Sequence, residues 1–138
     1  MSQSVPTASR HRTLQIIAAS LLLGFVSWGL LAPNVSAMLR ASVLSPLTLM
    51  NDILIHCSAY TLAATIGGLL FANGDTAKTR IVCLVLLMHG AGTELLQAFI
   101  PQRTCSAMDL FANVTGVALG TVIALRISRN SLNQQRHV

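Results

Sequence analysis

Charge is the first thing this sequence lacks. Only 9% of its 138 residues are charged and just four are carboxylates, whereas a typical soluble domain is about 25% charged. Hydrophobic residues make up 53%. Such a surface cannot keep a protein in water, so the class is integral membrane and the length suits one domain. Cysteine is scarce as well: Cys57, Cys83 and Cys105 form no CxxC pair and no even count, so no disulfide framework is indicated and apolar packing is the expected role. A Cys57–Cys105 pairing at one membrane face is left for a structure to test. Internal repeats and low-complexity segments are absent. The net charge of +5 comes from basic residues placed singly or in pairs at the ends of apolar runs. That is how membrane-flanking anchors are placed, so the bilayer is the expected partner and nucleic acid is not.

What is present is four apolar runs, at about residues 14–31, 53–71, 81–100 and 108–127. Each is close to the roughly 20 helical residues needed to cross a hydrocarbon layer of about 30 Å. The first run follows "RHR" and has small residues near its end, as a signal peptide would. Three further spans follow it, so a retained helix is expected. The expected fold is therefore all-α: a polytopic bundle of four transmembrane helices. Residues 1–13 form a cytoplasmic segment, residues 14–127 the membrane domain, and residues 128–138, including the tail "RNSLNQQRHV", a disordered cytoplasmic end. Residues 34–51 have room for a short interfacial helix broken by Pro46. Ala72 to Arg80 reads as a plain polar turn, and Pro101 to Ser106 as a tight turn that makes the third and fourth spans an antiparallel hairpin.

Basic residues set the orientation. Arg10, Arg12, Lys78, Arg80, Arg126, Arg129 and Arg136 share one side, and only Arg40 and Arg103 lie on the other. The bias puts both termini in the cytoplasm and the Pro101 turn outside. In that topology the polar residues of three helices fall at one depth. Asp52, His56 and Tyr60 are spaced i, i+4, i+8 on one face; Glu94 and Gln97 are at i, i+3; Asp109 and Asn113 are at i, i+4; and Arg103 sits in the turn. These eight residues are the expected ligand-binding pocket, facing outward. Each also has a structural reading. Ser106 and Asp109 resemble a capping box. Gly116 and Gly120 form a small-xxx-small stripe whose simplest role is helix packing. Gln97 and Tyr60 suit interhelical hydrogen bonds. His89, five residues before Glu94, is read as a packing histidine off the carboxylate's face, and Trp28 as facing lipid or packing. Against a purely structural cluster, an ionisable group facing lipid costs about 2.5–3.5 kcal/mol, and such residues usually mark a functional interior.

The pattern Asp52-x-x-x-His56-x-x-x-Tyr60, followed by Glu94-x-x-Gln97-x-x-x-Pro101-x-Arg103-x-x-Ser106-x-x-Asp109-x-x-x-Asn113-x-x-Gly116-x-x-x-Gly120, resembles the VanZ-like family of bacterial membrane proteins. The likeness covers about residues 50–120 and is most specific in its second half. Where that family often has a lysine after its first aspartate, this chain has Ile53. The resemblance implies a small helical protein of the bacterial cytoplasmic membrane. The family's name-giving member is tied to resistance to the glycopeptide antibiotic teicoplanin, and glycopeptides act on cell-wall precursors outside that membrane.

If all its carboxylates ionise, the expected pocket carries −3 from Asp52, Glu94 and Asp109. Arg103 adds +1, and His56 adds 0 or +1, which leaves −2 or −1. A partly dry site does not hold that excess uncompensated, so a carboxyl is neutral, a cation is present or water enters. Three functions fit. The preferred one is a non-catalytic module that binds or moves an envelope lipid or its head group. The second is an intramembrane enzyme acting on a lipid-linked phosphate or sugar. The third is a structural polar core in a protein that works through partners the sequence does not identify. Asp, Glu and His together suit a divalent metal, but D-x-x-x-H also arises from plain helix packing, so no metal site and no cofactor are assigned. Cys57 follows His56 directly, which turns the two side chains about 100° apart and disfavours covalent catalysis by that pair.

Overall fold

The computed structural model describes residues 7–31, 52–100 and 105–135, and every regular element among them is helical. Helix α1 spans Thr7–Leu31 and α2 spans Asp52–Gly67, continued by a π-helical turn over Gly68–Ala72. Helix α3 spans Thr76–Gln97 and α4 spans Ala107–Gln135. Four stretches, His11–Leu31, Ile53–Ala72, Thr76–Gln97 and Ala107–Ser131, are long and apolar enough to cross a membrane. The chain thus has the helices of a multi-pass membrane protein. Large apolar side chains cover their outer faces, among them Leu21, Phe25, Trp28, Met88 and Phe111. Trp28 stands on that exposed face, with its ring 6.2 Å from that of Phe25.

The helices run past the apolar segments that mark them. Helix α1 begins seven residues before Leu14, and α4 continues through Gln135. The tail expected to be disordered is therefore helical over most of its length. Residues 121–135 contain neither glycine nor proline, so nothing in their backbone chemistry stops propagation. The polar turn after α2 is also shorter than expected. Asn73 and Gly74 take positive φ, 44° and 83°, and the Asn73 amide donates to Gly68 O at 2.9 Å. Asp75 then caps α3, its Oδ1 accepting from the amides of Ala77 and Lys78 at 2.8 and 3.1 Å. Lys78 and Arg80 consequently belong to the first turns of α3 rather than to a loop.

Helix α2 is central and touches the other three, while α4 packs most extensively on α2 and less on α3, its neighbour in sequence. Small residues explain this preference. A Cβ at Gly116 would strike Cys57 O, and one at Gly120 would strike Thr61 O. The two backbones therefore approach at distances only glycine permits, and Thr65 Oγ1 donates to Gly120 O at 3.3 Å. Val26, Leu30, Tyr60, Ala63, Ala64, Leu86 and Val117 form the buried core. Cys57, Cys83 and Cys105 are free thiols, so Cys57 and Cys105 are not bridged. The expected interfacial helix within residues 34–51 lies outside the described residues.

Gly116→Ala and Gly120→Ala are each expected to lower stability by about 1–3 kcal/mol, the usual cost of overpacking. Gly24→Ala, which meets nothing within 4 Å, serves as the neutral control. Thermal unfolding in detergent checks this; equal midpoints for all three variants would refute the backbone contact.

Candidate functional site

Three helices bring a polar cluster together at the end of the bundle where α2 begins, α3 ends and α4 begins. Helix α2 supplies His56. Helix α3 buries one stripe, Leu86, Gly90, Thr93, Glu94 and Gln97, whose i, i+3, i+4, i+7 spacing keeps Glu94 inward. Helix α4 supplies Asp109 and Asn113 from its first two turns. His56 and Glu94 are each only 2% exposed and Asn113 1%. His56 Nδ1 lies 2.9 Å from Asn113 Oδ1 and 3.3 Å from Glu94 Oε1. These residues form a sealed cluster, not the lining of an open basin. Asp109 and Ser106 are only partly buried and make its accessible edge.

Glu94 also fixes the start of α4. Ser106 Oγ accepts from the Asp109 amide at 3.3 Å, as in the expected capping box. The reciprocal half differs, because the Ser106 amide donates to Glu94 Oε2 at 3.2 Å. A carboxylate from another helix takes the role that Asp109 would play within its own. The Asp109 carboxylate is thereby left free to face the cluster. Ligand atoms of His56, Glu94 and Asp109 lie within 4.8 Å of one another, a grouping that helical spacing alone does not assign to a metal.

Two buried atoms of this cluster have no hydrogen-bond partner among the described residues, Glu94 Oε1 and Asn113 Nδ2. Among the described residues no Lys or Arg pairs with Glu94 or Asp109. Neither Cys57 nor any hydroxyl among the described residues bonds to His56. Arg103 and the side chain of Asp52, both expected in the site, lie outside the described residues.

Tyr60 and Gln97 go elsewhere. Tyr60 OH lies 2.8 Å from His89 Nδ1 and 3.3 Å from Thr93 Oγ1. His89 Nε2 lies 2.8 Å from Ser27 Oγ, and Thr93 Oγ1 donates to Gly90 O at 2.9 Å. One placement of the protons satisfies this whole chain: Ser27 donates to His89, His89 to Tyr60, Tyr60 to Thr93 and Thr93 to Gly90 O. The chain ties α1, α2 and α3 together, so His89 packs helices as expected, but through Tyr60. Gln97 Nε2 donates to Leu30 O at 2.9 Å, meeting one of the free carbonyls at the end of α1. Both are helix bridges, not members of the cluster. Gly90, no part of the expected pocket, lets Asn113 and Tyr60 nest against α3: a Cβ there would lie 3.3 Å from Asn113 Cβ and 3.4 Å from the Tyr60 ring. Its position one turn before Glu94 was the available signal. A separate cavity of about 260 Å³, lined by Leu22, Leu23, Ala63, Phe71, Val82 and Leu86 among others, lies toward Lys78 and contains no member of the cluster.

Among the described residues, fold and site together give an all-helical structure, with four helices long and apolar enough to cross a membrane, that buries a half-satisfied polar cluster. No family model matches the sequence, and no curated protein or solved structure matches it.

Glu94→Ala removes the acceptor for the Ser106 amide and is expected to cost about 1–3 kcal/mol, the penalty of an unsatisfied buried group. Glu94→Gln keeps an acceptor oxygen and should lose less than half of that. Equal unfolding midpoints for the two variants would show that Glu94 does not cap α4. Tyr60→Phe should cost about 1 kcal/mol through the lost hydrogen bonds, measured in the same way, and no change would contradict the proton assignment.

Proposed function

We propose that this is a VanZ-like multi-pass protein of the bacterial cytoplasmic membrane, non-catalytic, with both termini in the cytoplasm. Its polar cluster lies toward the outer face and binds the head group of an envelope lipid. The one observation that carries this reading is the contrast between two buried polar groups in the same bundle. The Ser27–His89–Tyr60–Thr93 chain satisfies its members and needs no visitor. The cluster one turn away leaves Glu94 Oε1 and Asn113 Nδ2 unmatched. Each unmatched buried group costs about 1–3 kcal/mol. A ligand that enters past Asp109 and supplies the missing partners recovers that cost, which a purely structural core would have no reason to carry.

The chemistry of the cluster limits the ligand. The two carboxylates call for hydrogen-bond donors and the Asn113 amide nitrogen for an acceptor, a combination that sugar hydroxyls supply. The carboxylates repel a bare phosphate unless a cation stands between. Where the lipid is a cell-wall precursor, occupancy of this site gives a route to glycopeptide (teicoplanin) resistance. The sidedness is supported by the seven-to-two distribution of basic residues.

Native mass spectrometry of purified protein is expected to show an envelope lipid on wild type and its loss on Glu94→Gln and on Arg103→Ala. Both variants keeping the wild-type lipid load would end the proposal.

A further inference from the structure

We infer that His56, Glu94 and Asp109, with Asn113 Oδ1 as a neutral fourth donor, form a site for one divalent metal ion. The argument begins with distances. A small divalent ion takes nitrogen and oxygen ligands at about 2.0–2.2 Å, so neighbouring ligand atoms stand about 3.0 Å apart around an octahedral ion and about 3.4 Å around a tetrahedral one. His56 Nδ1 lies 2.9 Å from Asn113 Oδ1 and 3.3 Å from Glu94 Oε1. Those separations match the edges of a coordination shell. Asp109 completes a set whose ligand atoms fall within 4.8 Å of one another.

Charge and satisfaction point the same way. Two ionised carboxylates in an apolar bundle call for +2, and no Lys or Arg pairs with either among the described residues. Glu94 is 2% exposed, and its Oε1 has no hydrogen-bond partner among the described residues. An ion between Oε1 and the imidazole supplies what that oxygen lacks, while Oε2 stays on the Ser106 amide. Coordination through Nδ1 needs its lone pair, so the ring then carries its proton on Nε2. The donors are one nitrogen, two carboxylates and an amide oxygen, with no sulfur. That set suits Mn²⁺ or Zn²⁺ over Cu(I), and offers too few oxygens for Ca²⁺.

This inference deepens the head-group reading and rests on the same cluster being the binding site. An ion with open positions next to Asp109 turns a site that repels phosphate into one that accepts a lipid phosphate oxygen.

The test loads detergent-purified full-length protein with Mn²⁺ or Zn²⁺ after chelator treatment, followed by desalting and elemental analysis. Mn²⁺-loaded samples are also examined by electron spin echo for imidazole nitrogen. Wild type should hold about one ion per chain with a histidine signal, and His56→Gln and Glu94→Gln should hold less than about a tenth of that. Asp75→Asn, at the opposite end, should bind as wild type does. Asn113→Asp adds a charged ligand and should tighten binding about tenfold, which keeps the test decisive if the loss variants fold poorly. No stoichiometric metal on wild type, or metal content unchanged across the four variants, overturns the site. Bound lipid without metal removes the ion and leaves the head-group reading. Metal without lipid supports the ion site and removes the head-group reading.

Discussion

Glu94 is nearly sealed from solvent, and its two oxygens answer to different helices. Oε2 accepts from the Ser106 amide at 3.2 Å and so fixes where α4 starts. Oε1 lies 3.3 Å from His56 on α2 and has no hydrogen-bond partner among the described residues. Carbon on either side would be cheaper to bury, because an isolated carboxylate in a low-dielectric interior is tolerated only with compensation. The rest of the arrangement follows. Asn113 is drawn to His56, Asp109 is released from its own cap, and α4 enters the bundle at the position that Glu94 sets.

The glycines make that convergence possible. Gly116 and Gly120 let α4 lie against the backbone of α2, so that Asn113, one turn earlier, comes within hydrogen-bond distance of His56. Gly90 opens the α3 surface to Asn113 and Tyr60 together. Close packing and polar chemistry are therefore one feature here. The same small residues that replace the missing hydrophobic drive between helices in lipid also place the donors and acceptors.

Much of this was legible in the sequence, and the reasons are particular. Long apolar runs mark four helices because hydropathy tracks what hydrocarbon tolerates. His56, Glu94, Asp109 and Asn113 stand on inward faces because helical spacing is regular. Helix ends were less legible: hydropathy ended α4 at Ile127, whereas the absence of glycine and proline carries it to Gln135. Spacing alone puts Tyr60 with the cluster, yet its long side chain reaches His89 and Thr93, a choice set by tertiary packing. The exchange at the cap, with Glu94 serving Ser106 in place of Asp109, joins two helices, so no local motif could announce it.

The central claim is that one buried polar cluster joins α2, α3 and α4 through Glu94. A double-mutant cycle between His56→Ala and Glu94→Ala, read from unfolding free energies in detergent, tests it most directly. Residues in one buried network are expected to couple by about 0.5–3 kcal/mol. Losses that simply add, within about 0.3 kcal/mol, would show that the two residues do not share a cluster.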